Sequence, residues 1–299
     1  MARKSKRAAL AEYMALRGAC AVVNAIPYSV ACALAKGLAW TLVNVFRFKR
    51  ARTIGRIRSC FPEKTAAEAG RIAVASLANV LMSAVEMIRA PRLDLAWIER
   101  HVKDVHLYAD RLKGIAAEGK GVVIMVPHSG NWYMAAWAMA RCGVPLFAIA
   151  ARQRNPYIDA WMNRQYGEGL EVVERGSVRV MAEIKSRLGQ GRCFAILPDL
   201  RVPVKDVQVP FLNGTANVSH GGASFAAAAG APVVVAIMRR ENGLHVFDHL
   251  ATLRPDPAKS RKDEAVRLTR EAMALLDSAI RKTPEHWFWY NKRWILQPV

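Results

Sequence analysis

Residues 119–137 read Gly-Lys-Gly-Val-Val-Ile-Met-Val-Pro-His-Ser-Gly-Asn-Trp-Tyr-Met-Ala-Ala-Trp, and this stretch decides the fold. The unbroken apolar run at 122–126 predicts a strand buried on both faces, as in parallel sheets. Pro127 follows the run, and residues 128–131 contain turn and N-cap residue types ahead of an apolar, helix-compatible segment. His128 is therefore predicted where a central strand passes into a helix, which in open α/β sheets is the edge that binds ligands.

On both sides of this stretch, short apolar runs alternate with segments of helical character. The other runs lie at 144–150, 170–173, 193–197, 232–238 and 244–253, and the segments at 131–141, 156–167, 178–189, 219–229 and 260–282. Residues 65–90 predict a long helix that begins with a Thr65–Glu68 capping box, and 94–102 and 107–117 predict shorter helices. The alternation predicts an α/β fold with a mainly parallel central sheet flanked by helices.

The composition allows a sizeable core and points to a negatively charged partner. Of the 299 residues 53% are hydrophobic, and 44 Lys+Arg against 24 Asp+Glu leave a net charge of +20. Nucleic acid, an anionic membrane and an acidic protein all match such a charge. The five cysteines are scattered without a C-x-x-C pair, so neither a disulfide framework nor a zinc site is predicted, and a reducing compartment fits best.

The N-terminal region predicts attachment to a membrane. A basic head at residues 1–7 precedes two uncharged stretches, and Pro27 should break any helix across them into two pieces, each near the lower limit for spanning a bilayer. Six basic residues between Arg47 and Arg58 follow directly, an arrangement that suits anionic headgroups of the cytoplasmic leaflet. A hairpin in a soluble core is the alternative. We therefore divide the chain into an attachment segment, 1–50, and a domain, 51–299.

Three polar groups are predicted at the carboxyl edge of the sheet. His128 follows the first strand, a basic segment with Arg152, Arg154 and Asn155 follows the second, and Asp199 follows the strand at 193–197. Their convergence predicts a pocket, with His128 as a general base. A structural histidine, solvated arginines and an aspartate that caps a turn are the alternatives. No G-x-S-x-G, Walker A, G-x-G-x-x-G or H-E-x-x-H motif is present.

A set of short motifs resembles one family along nearly the whole chain. They are Ile-Arg-Ser-Cys-Phe-Pro (57–62), Pro-His-Ser-Gly-Asn-Trp (127–132), Arg-Gln-Arg-Asn-Pro-Tyr (152–157), Leu-Pro-Asp (197–199), Val-Pro-Phe-Leu-Asn-Gly (209–214), Ala-Pro-Val-Val (231–234) and Pro-Glu-His-Trp-Phe-Trp-Tyr (284–290). In order and spacing they resemble the lipid A late acyltransferases, the lauroyl and myristoyl transferases of the lysophospholipid acyltransferase superfamily. The resemblance implies a glycerolipid acyltransferase-like fold.

The family's His-x₄-Asp/Glu motif implies that His128 is the base, but Tyr133 occupies the acid position. A phenol, with a pKa of about 10, stays neutral at pH 7 and cannot stabilise an imidazolium as a carboxylate does. Three alternatives stay open. Asp199, or else Asp159 or Glu168, supplies the carboxylate from another loop; His128 works at a reduced rate; or the protein binds acyl lipid without turnover.

The resemblance also implies substrates, partners and a location. The donor is acyl-acyl carrier protein or acyl-coenzyme A, with no metal or redox cofactor, and the acceptor is a hydroxyl of a lipid A precursor or related lipid in lipopolysaccharide biosynthesis. An acidic carrier protein suits the basic surface, no nucleic-acid partner is expected, and the location is the cytoplasmic face of the inner membrane. The backbone N–H groups of 129–131 or Arg152 are candidate oxyanion donors. Besides the catalytic His128 and Asp199, the predicted substrate-binding residues are Ser129, Gly130, Asn131, Tyr133, Arg152, Arg154 and Asn155.

The aromatic segment 285–294 is the last notable feature. Trp287, Trp289, Tyr290 and Trp294 stand beside Lys292 and Arg293. Rings next to cations fit a membrane interface, which is the interpretation we favour here. Base stacking and burial of some of the rings are the alternatives.

Overall fold

The computed structural model describes residues 5–165, 170–176 and 179–297. The helices are α1 (Lys6–Ala25), α2 (Tyr28–Asn44), α3 (Arg50–Cys60), α4 (Ala66–Arg89), α5 (Leu95–His101), α6 (Val105–Ala116), α7 (Trp132–Arg141), α8 (Pro156–Gln165), α9 (Val180–Gly189), α10 (Gly221–Ala229) and α11 (Arg261–Lys282). The strands are β1 (Val122–Met125), β2 (Leu146–Ala150), β3 (Glu171–Glu174), β4 (Cys193–Ile196), β5 (Val207–Phe211), β6 (Gly214–Val218), β7 (Val233–Glu241) and β8 (Leu244–Leu253).

The central sheet has six strands in the order β3-β2-β4-β1-β7-β8. All neighbours run parallel except β7 and β8, which are antiparallel. The predicted mainly parallel sheet flanked by helices is confirmed. Strands β5 and β6 form a separate antiparallel hairpin that was not predicted, although buried and exposed residues alternate along β5, the period of a half-buried strand.

The continuous apolar character of β1 follows from its central position. Val123 and Met125 pack into one hydrophobic cluster with α9, α10 and α11. Val122 and Ile124 face the opposite cluster, which includes α5, α6 and α7. Because side chains alternate across a strand and helices cover both faces, no position on β1 is polar.

Helix α4 carries the predicted capping box. The Thr65 hydroxyl accepts from the Glu68 N–H, and the Glu68 carboxylate accepts from the Thr65 N–H at 2.8 Å. Among the described residues, the helical stretch Ala66–Arg92 is the one segment long and apolar enough to cross a membrane, and half of its most apolar window is buried inside the protein. The burial also fits a core helix, so α4 is weak evidence for a membrane span.

The N-terminal region forms two helices that break at Pro27, as the sequence predicts. One stripe of α2, at Ala31, Ala35, Ala39 and Val43, is buried. The Arg89 guanidinium of α4 donates to backbone carbonyls near the end of α1, including that of Val23 at 2.9 Å. Residues 6–44 therefore pack against α4. The division of the chain at residue 50 stays a prediction.

The aromatic segment corrects the sequence analysis. Trp287, Trp289 and Tyr290 are all 3% exposed or less, so the favoured membrane-interface interpretation is wrong for these three rings. Their polar atoms are satisfied internally: Trp289 Nε1 donates to the Pro284 carbonyl at 2.7 Å and the Tyr290 hydroxyl to the Ala73 carbonyl at 3.0 Å. Internal hydrogen bonds let large amphipathic rings enter a core.

Candidate active site

The register of two neighbouring strands brings His128 and Asp199 together. Strands β1 and β4 are parallel, with Met125 opposite Ile196. Each candidate residue lies three positions beyond its strand's last residue, directly after a proline. Because the two strands end level and each residue lies the same distance beyond its strand, both residues reach the same edge of the sheet. Two residues 71 positions apart in sequence thus become neighbours.

Asp199 is fully engaged by the residues around it. Its Oδ1 lies 2.7 Å from His128 Nδ1, and its Oδ2 accepts from the His128 backbone N–H and from Trp287 Nε1, each at 2.8 Å. The Asp199 side chain is 1% exposed, whereas the His128 ring is 17% exposed. A carboxylate at Nδ1 assigns the neutral ring its proton there, which leaves Nε2 as the proton acceptor. None of the described residues hydrogen-bonds Nε2.

The electrostatics of the pair keep Asp199 ionised. Burial by itself opposes ionisation of Asp199, but the charge and hydrogen bonds of His128 and the indole N–H of Trp287 outweigh it and hold its pKa below the usual range. A buried carboxylate with three donors is stable as an anion because each hydrogen bond favours the charged form. Asp199 can therefore orient the imidazole and stabilise it once it becomes protonated.

His128 opens onto an apolar cavity of about 300 Å³. The cavity lies between one face of the sheet and helices α6 and α7, and all six strands of that sheet, or residues next to them, line it. Alanines on three strands, Ala148, Ala195 and Ala236, make much of the floor, and Ala135 and Ala136 of α7 line the wall. Small side chains at these positions leave the space that larger ones would fill.

The lining includes polar residues that the sequence analysis missed. Tyr108 and Arg111 of α6 and His249 of β8 border the cavity beside Phe247. The Tyr108 and Phe247 rings are 5.5 Å apart. No local motif marks these residues, because their approach to the cavity depends on β8 joining the sheet next to β7 and on α6 covering that face.

Two of the three backbone N–H groups predicted as oxyanion donors are engaged within the protein. The Ser129 N–H donates to the Pro127 carbonyl at 2.7 Å and the Gly130 N–H to the His286 carbonyl at 2.9 Å, so neither is available to a ligand. Gly130 has φ +56°, and a Cβ there would lie 2.4 Å from the Met238 carbonyl oxygen. Only glycine fits this position without strain or displacement of β7.

The side chains of the turn were predicted to bind substrate, and the structure shows other surroundings for two of them, Ser129 and Asn131. The Ser129 hydroxyl is buried and has no hydrogen-bond partner in the described part of the chain. Asn131 caps α7: its Oδ1 accepts from the Met134 N–H at 3.0 Å. Tyr133 does line the cavity, with its ring 5.9 Å from that of Trp132.

Arg152, Arg154 and Asn155 of the basic segment after β2 do not line the His128 cavity, although Gln153 between them does. Arg152 is 67% exposed and lies 3.7 Å from Asp159 and 4.0 Å from Glu174, in an adjoining polar pocket of about 300 Å³. Arg154 is also exposed and lines neither pocket. The structure thus places neither arginine beside His128, and Arg152 is not positioned to stabilise an oxyanion there.

Two other predicted site residues have structural partners. Asn155 is buried, with Nδ2 donating to the Ala9 carbonyl of α1 at 2.8 Å and Oδ1 accepting from the Tyr157 N–H at 3.1 Å at the start of α8. Asp159 accepts from the Gln153 backbone N–H and does not approach His128. Glu168 lies outside the described residues. Of the two candidate carboxylates in the described part of the chain, Asp199 is the one that contacts the imidazole.

The family profile and the relatives that match this chain are all acyltransferases. The sequence profile of the family described as bacterial lipid A biosynthesis acyltransferase matches residues 1–295. The phosphatidylinositol mannoside acyltransferase of Mycolicibacterium smegmatis is 26% identical over 234 residues, 74% of this chain and 71% of that protein. The protein of that name from Mycobacterium tuberculosis is 27% identical over 157 residues, 50% of this chain, and the alignment spans about half (48%) of its length.

Acid should weaken the folded state through Asp199. Because its pKa is lowered on folding, Asp199 contributes stability that is present above its unfolded pKa of about 3.9 and lost as pH falls through the lower folded value. We expect Asp199→Asn to lower the free energy of unfolding at pH 6, and the gap from the native chain to narrow towards pH 3. Urea unfolding at a series of pH values measures this, and a constant gap would contradict the assignment.

Proposed function

This chain belongs to the bacterial lipid A biosynthesis acyltransferase family, and we propose that it is a membrane-associated O-acyltransferase that moves a fatty acyl chain from a thioester to a hydroxyl of a glycolipid. The observation that carries the proposal is the His128–Asp199 pair at the opening of an apolar cavity. Such a pair supplies a base, and the cavity supplies space for a hydrocarbon chain.

The proposed reaction needs one proton acceptor and one orienting anion. His128 Nε2 takes the proton from the acceptor hydroxyl as its oxygen attacks the thioester carbonyl, and Asp199 stabilises the imidazolium. The C–O bond forms, the C–S bond breaks, and the leaving sulfur takes the proton from His128, so the histidine returns to its starting state. Helix α7 begins beside His128, and its N-terminal dipole favours the negative charge that develops on the carbonyl oxygen.

The acyl chain fits the apolar cavity better than any polar ligand would. Most of its lining is aliphatic or aromatic, and its floor extends across the sheet from the position of His128. With its thioester at His128, the chain would lie along the alanine floor between the sheet and α7. Burial of each methylene stabilises such a complex by about 0.8 kcal/mol.

Donor and acceptor are proposed from the family and from charge. The relatives named above carry the name phosphatidylinositol mannoside acyltransferase, so the acceptor class we propose is a lipid whose headgroup bears hydroxyls, including a lipid A precursor. The net charge of +20 favours an acidic donor carrier, so acyl carrier protein is the proposed donor and coenzyme A the alternative.

The proposed location is the cytoplasmic face of the inner membrane. Of the large apolar side chains exposed in the described ranges, ten of fifteen fall between residues 10 and 48. On α2 the exposed Val30, Leu34 and Leu38 follow helical spacing, each one residue before a buried alanine of the stripe that packs on α4, so they form an adjacent face of the helix. Basic residues follow directly at Arg47 and Lys49. An apolar helix face beside cations matches attachment in the plane of an anionic leaflet.

Acyl transfer should depend on both members of the pair. We expect His128→Ala to lower kcat by about 10²–10⁴-fold, since that is the usual contribution of a general base, and Asp199→Asn to lower it in the same range because the ring loses its orienting anion. Tyr133→Glu should bring no gain, because Asp199 already occupies Nδ1. The assay supplies acyl-acyl carrier protein and acyl-coenzyme A in parallel to a lysophospholipid, a lipid A precursor and a mannosylated phosphoinositide.

Each outcome has a distinct meaning. Turnover by the native chain that survives His128→Ala would overturn the mechanism. Binding of acyl lipid without any turnover, unaffected by His128→Ala, would replace the enzyme with the lipid-binding alternative. Activity with coenzyme A alone would remove the carrier protein from the proposal.

A larger side chain on the cavity floor should restrict the length of the acyl chain. We expect Ala195→Leu to lower transfer from long-chain donors on the order of tenfold while short-chain donors stay within about twofold, because inserting methylenes into filled space costs about 1–3 kcal/mol. Ala274→Leu adds the same volume on an exposed face of α11 and is the matched control. An equal loss for all chain lengths would contradict this placement of the chain.

Binding to lipid should require the exposed stripe of α2. We expect Leu34→Glu to reduce sedimentation with vesicles containing phosphatidylglycerol, and rising salt to weaken binding of the native chain because surface charges are screened. Leu107→Glu is the control, since Leu107 on α6 is 59% exposed against 60% for Leu34 but lies outside the N-terminal region. Equal binding by both variants, or equal binding of the native chain to neutral vesicles, would contradict the proposed surface.

A further inference from the structure

A second buried carboxylate, Glu86 of α4, lies behind the turn that carries His128. Its side chain is 0% exposed. Oε1 accepts from the Tyr28 hydroxyl and Arg240 Nη1, each at 2.7 Å, and lies 3.0 Å from His245 Nε2. Oε2 accepts from Arg240 Nη2 at 2.7 Å and from Asn131 Nδ2 at 2.5 Å. One carboxylate thus joins α2, α4, the β7–β8 hairpin and the start of α7.

Glu86 carries a negative charge that the neighbouring Arg240 neutralises. Burial disfavours the charged form of Glu86, yet its contacts with His245 and Arg240 lower its pKa. Burial lowers the pKa of His245, and its Nδ1 is buried with no partner within the described ranges, which suits an unprotonated nitrogen. A neutral His245 leaves Glu86 and Arg240 as an ion pair, the arrangement in which a buried charge is tolerated.

Arg240 contacts both oxygens of Glu86, but their other neighbours differ. Oε1 also contacts side chains of α2 and β8, whereas Oε2 also accepts from the amide of Asn131, the last residue of the turn. The same Asn131 caps α7 through its Oδ1. Ser83, one turn earlier on α4, donates to the Gly130 carbonyl at 3.3 Å. Helix α4 therefore contacts two of the three residues that follow His128.

We propose that Glu86 is a positioning residue for acyl transfer: through the amide of Asn131 it fixes the 128–131 turn, so that His128 Nε2 faces the acceptor hydroxyl. Asp199 holds the ring from the side of β4, and Glu86 holds its backbone from the side of α4. This inference rests on the proposed function, and the test below separates the two.

Asn131→Ser isolates the link. Serine retains an oxygen that caps α7 but has no amide to donate to Glu86. We expect kcat to fall about 10- to 100-fold, because small displacements of a catalytic group carry losses of that size, while KM for the donor stays within about twofold. The pH at which the rate is half-maximal should not move, since the Asp199 contact is intact.

Glu86→Gln tests the other end of the same link. If Glu86 acts through Asn131, the double variant should lose little more than either single variant, a non-additivity that a thermodynamic cycle measures. Glu264→Gln is the matched control: Glu264 is also a buried carboxylate bonded to an arginine, Arg267, but on α11. It should lower the melting temperature and leave kcat per folded molecule unchanged.

The state of the ring can also be read without turnover. Long-range ¹H–¹⁵N spectra report the tautomer and surroundings of the His128 imidazole, and we expect Asn131→Ser to shift its nitrogen resonances while Glu264→Gln leaves them in place. If the native chain transfers no acyl group, the proposed function fails but this measurement still decides the positioning role. Unchanged His128 resonances, or a kcat loss no greater than that of the control, would overturn the inference.

Discussion

The hydrogen bond between His128 Nδ1 and Asp199 Oδ1 is the interaction on which the rest of the site depends, and it follows directly from strand register. Two parallel strands whose ends are level, each extended by a proline and two further positions, bring an imidazole and a carboxylate to the same place. A shift of one residue between β1 and β4 would point one side chain to the other face of the sheet. The contact between His128 and Asp199 therefore depends on the pairing of β1 with β4.

That pairing is reinforced by the segment 284–290, which encloses the site. The Trp287 indole N–H donates to Asp199 Oδ2, and the Phe288 N–H donates to the His128 carbonyl at 2.9 Å. The His286 carbonyl accepts from the Gly130 N–H. A loop distant in sequence thus satisfies buried polar groups that would otherwise destabilise the turn. Trp287, which the sequence analysis favoured as a membrane anchor, instead contacts Asp199 of the His128–Asp199 pair, and its ring is buried.

Local periodicity was enough to predict the helices other than α3, the strands of the large sheet and the mainly parallel topology, because a strand covered on both faces must be apolar throughout. It also placed His128 and Asp199 at one edge. It could not place Arg152 or Asn155, which share that edge by strand position but face an adjoining pocket or bond to α1. Nor could it find Arg111 or Glu86, since these reach the site through packing between elements far apart in the chain.

The tyrosine at the family's acid position now has a physical interpretation. An imidazole that acts as a base needs a negatively charged acceptor at Nδ1, and that acceptor needs enough hydrogen-bond donors to stay ionised. It makes no difference to the imidazole from which part of the chain the acceptor comes. In this protein the acceptor comes from β4, the neighbouring strand, where three donors hold it. Tyr133 is therefore not needed to hold the imidazole. It lines the cavity, where an acid would have to be buried beside hydrocarbon. The substitution is compatible with His128 acting as a base, because Asp199, from the neighbouring strand, lies at its Nδ1.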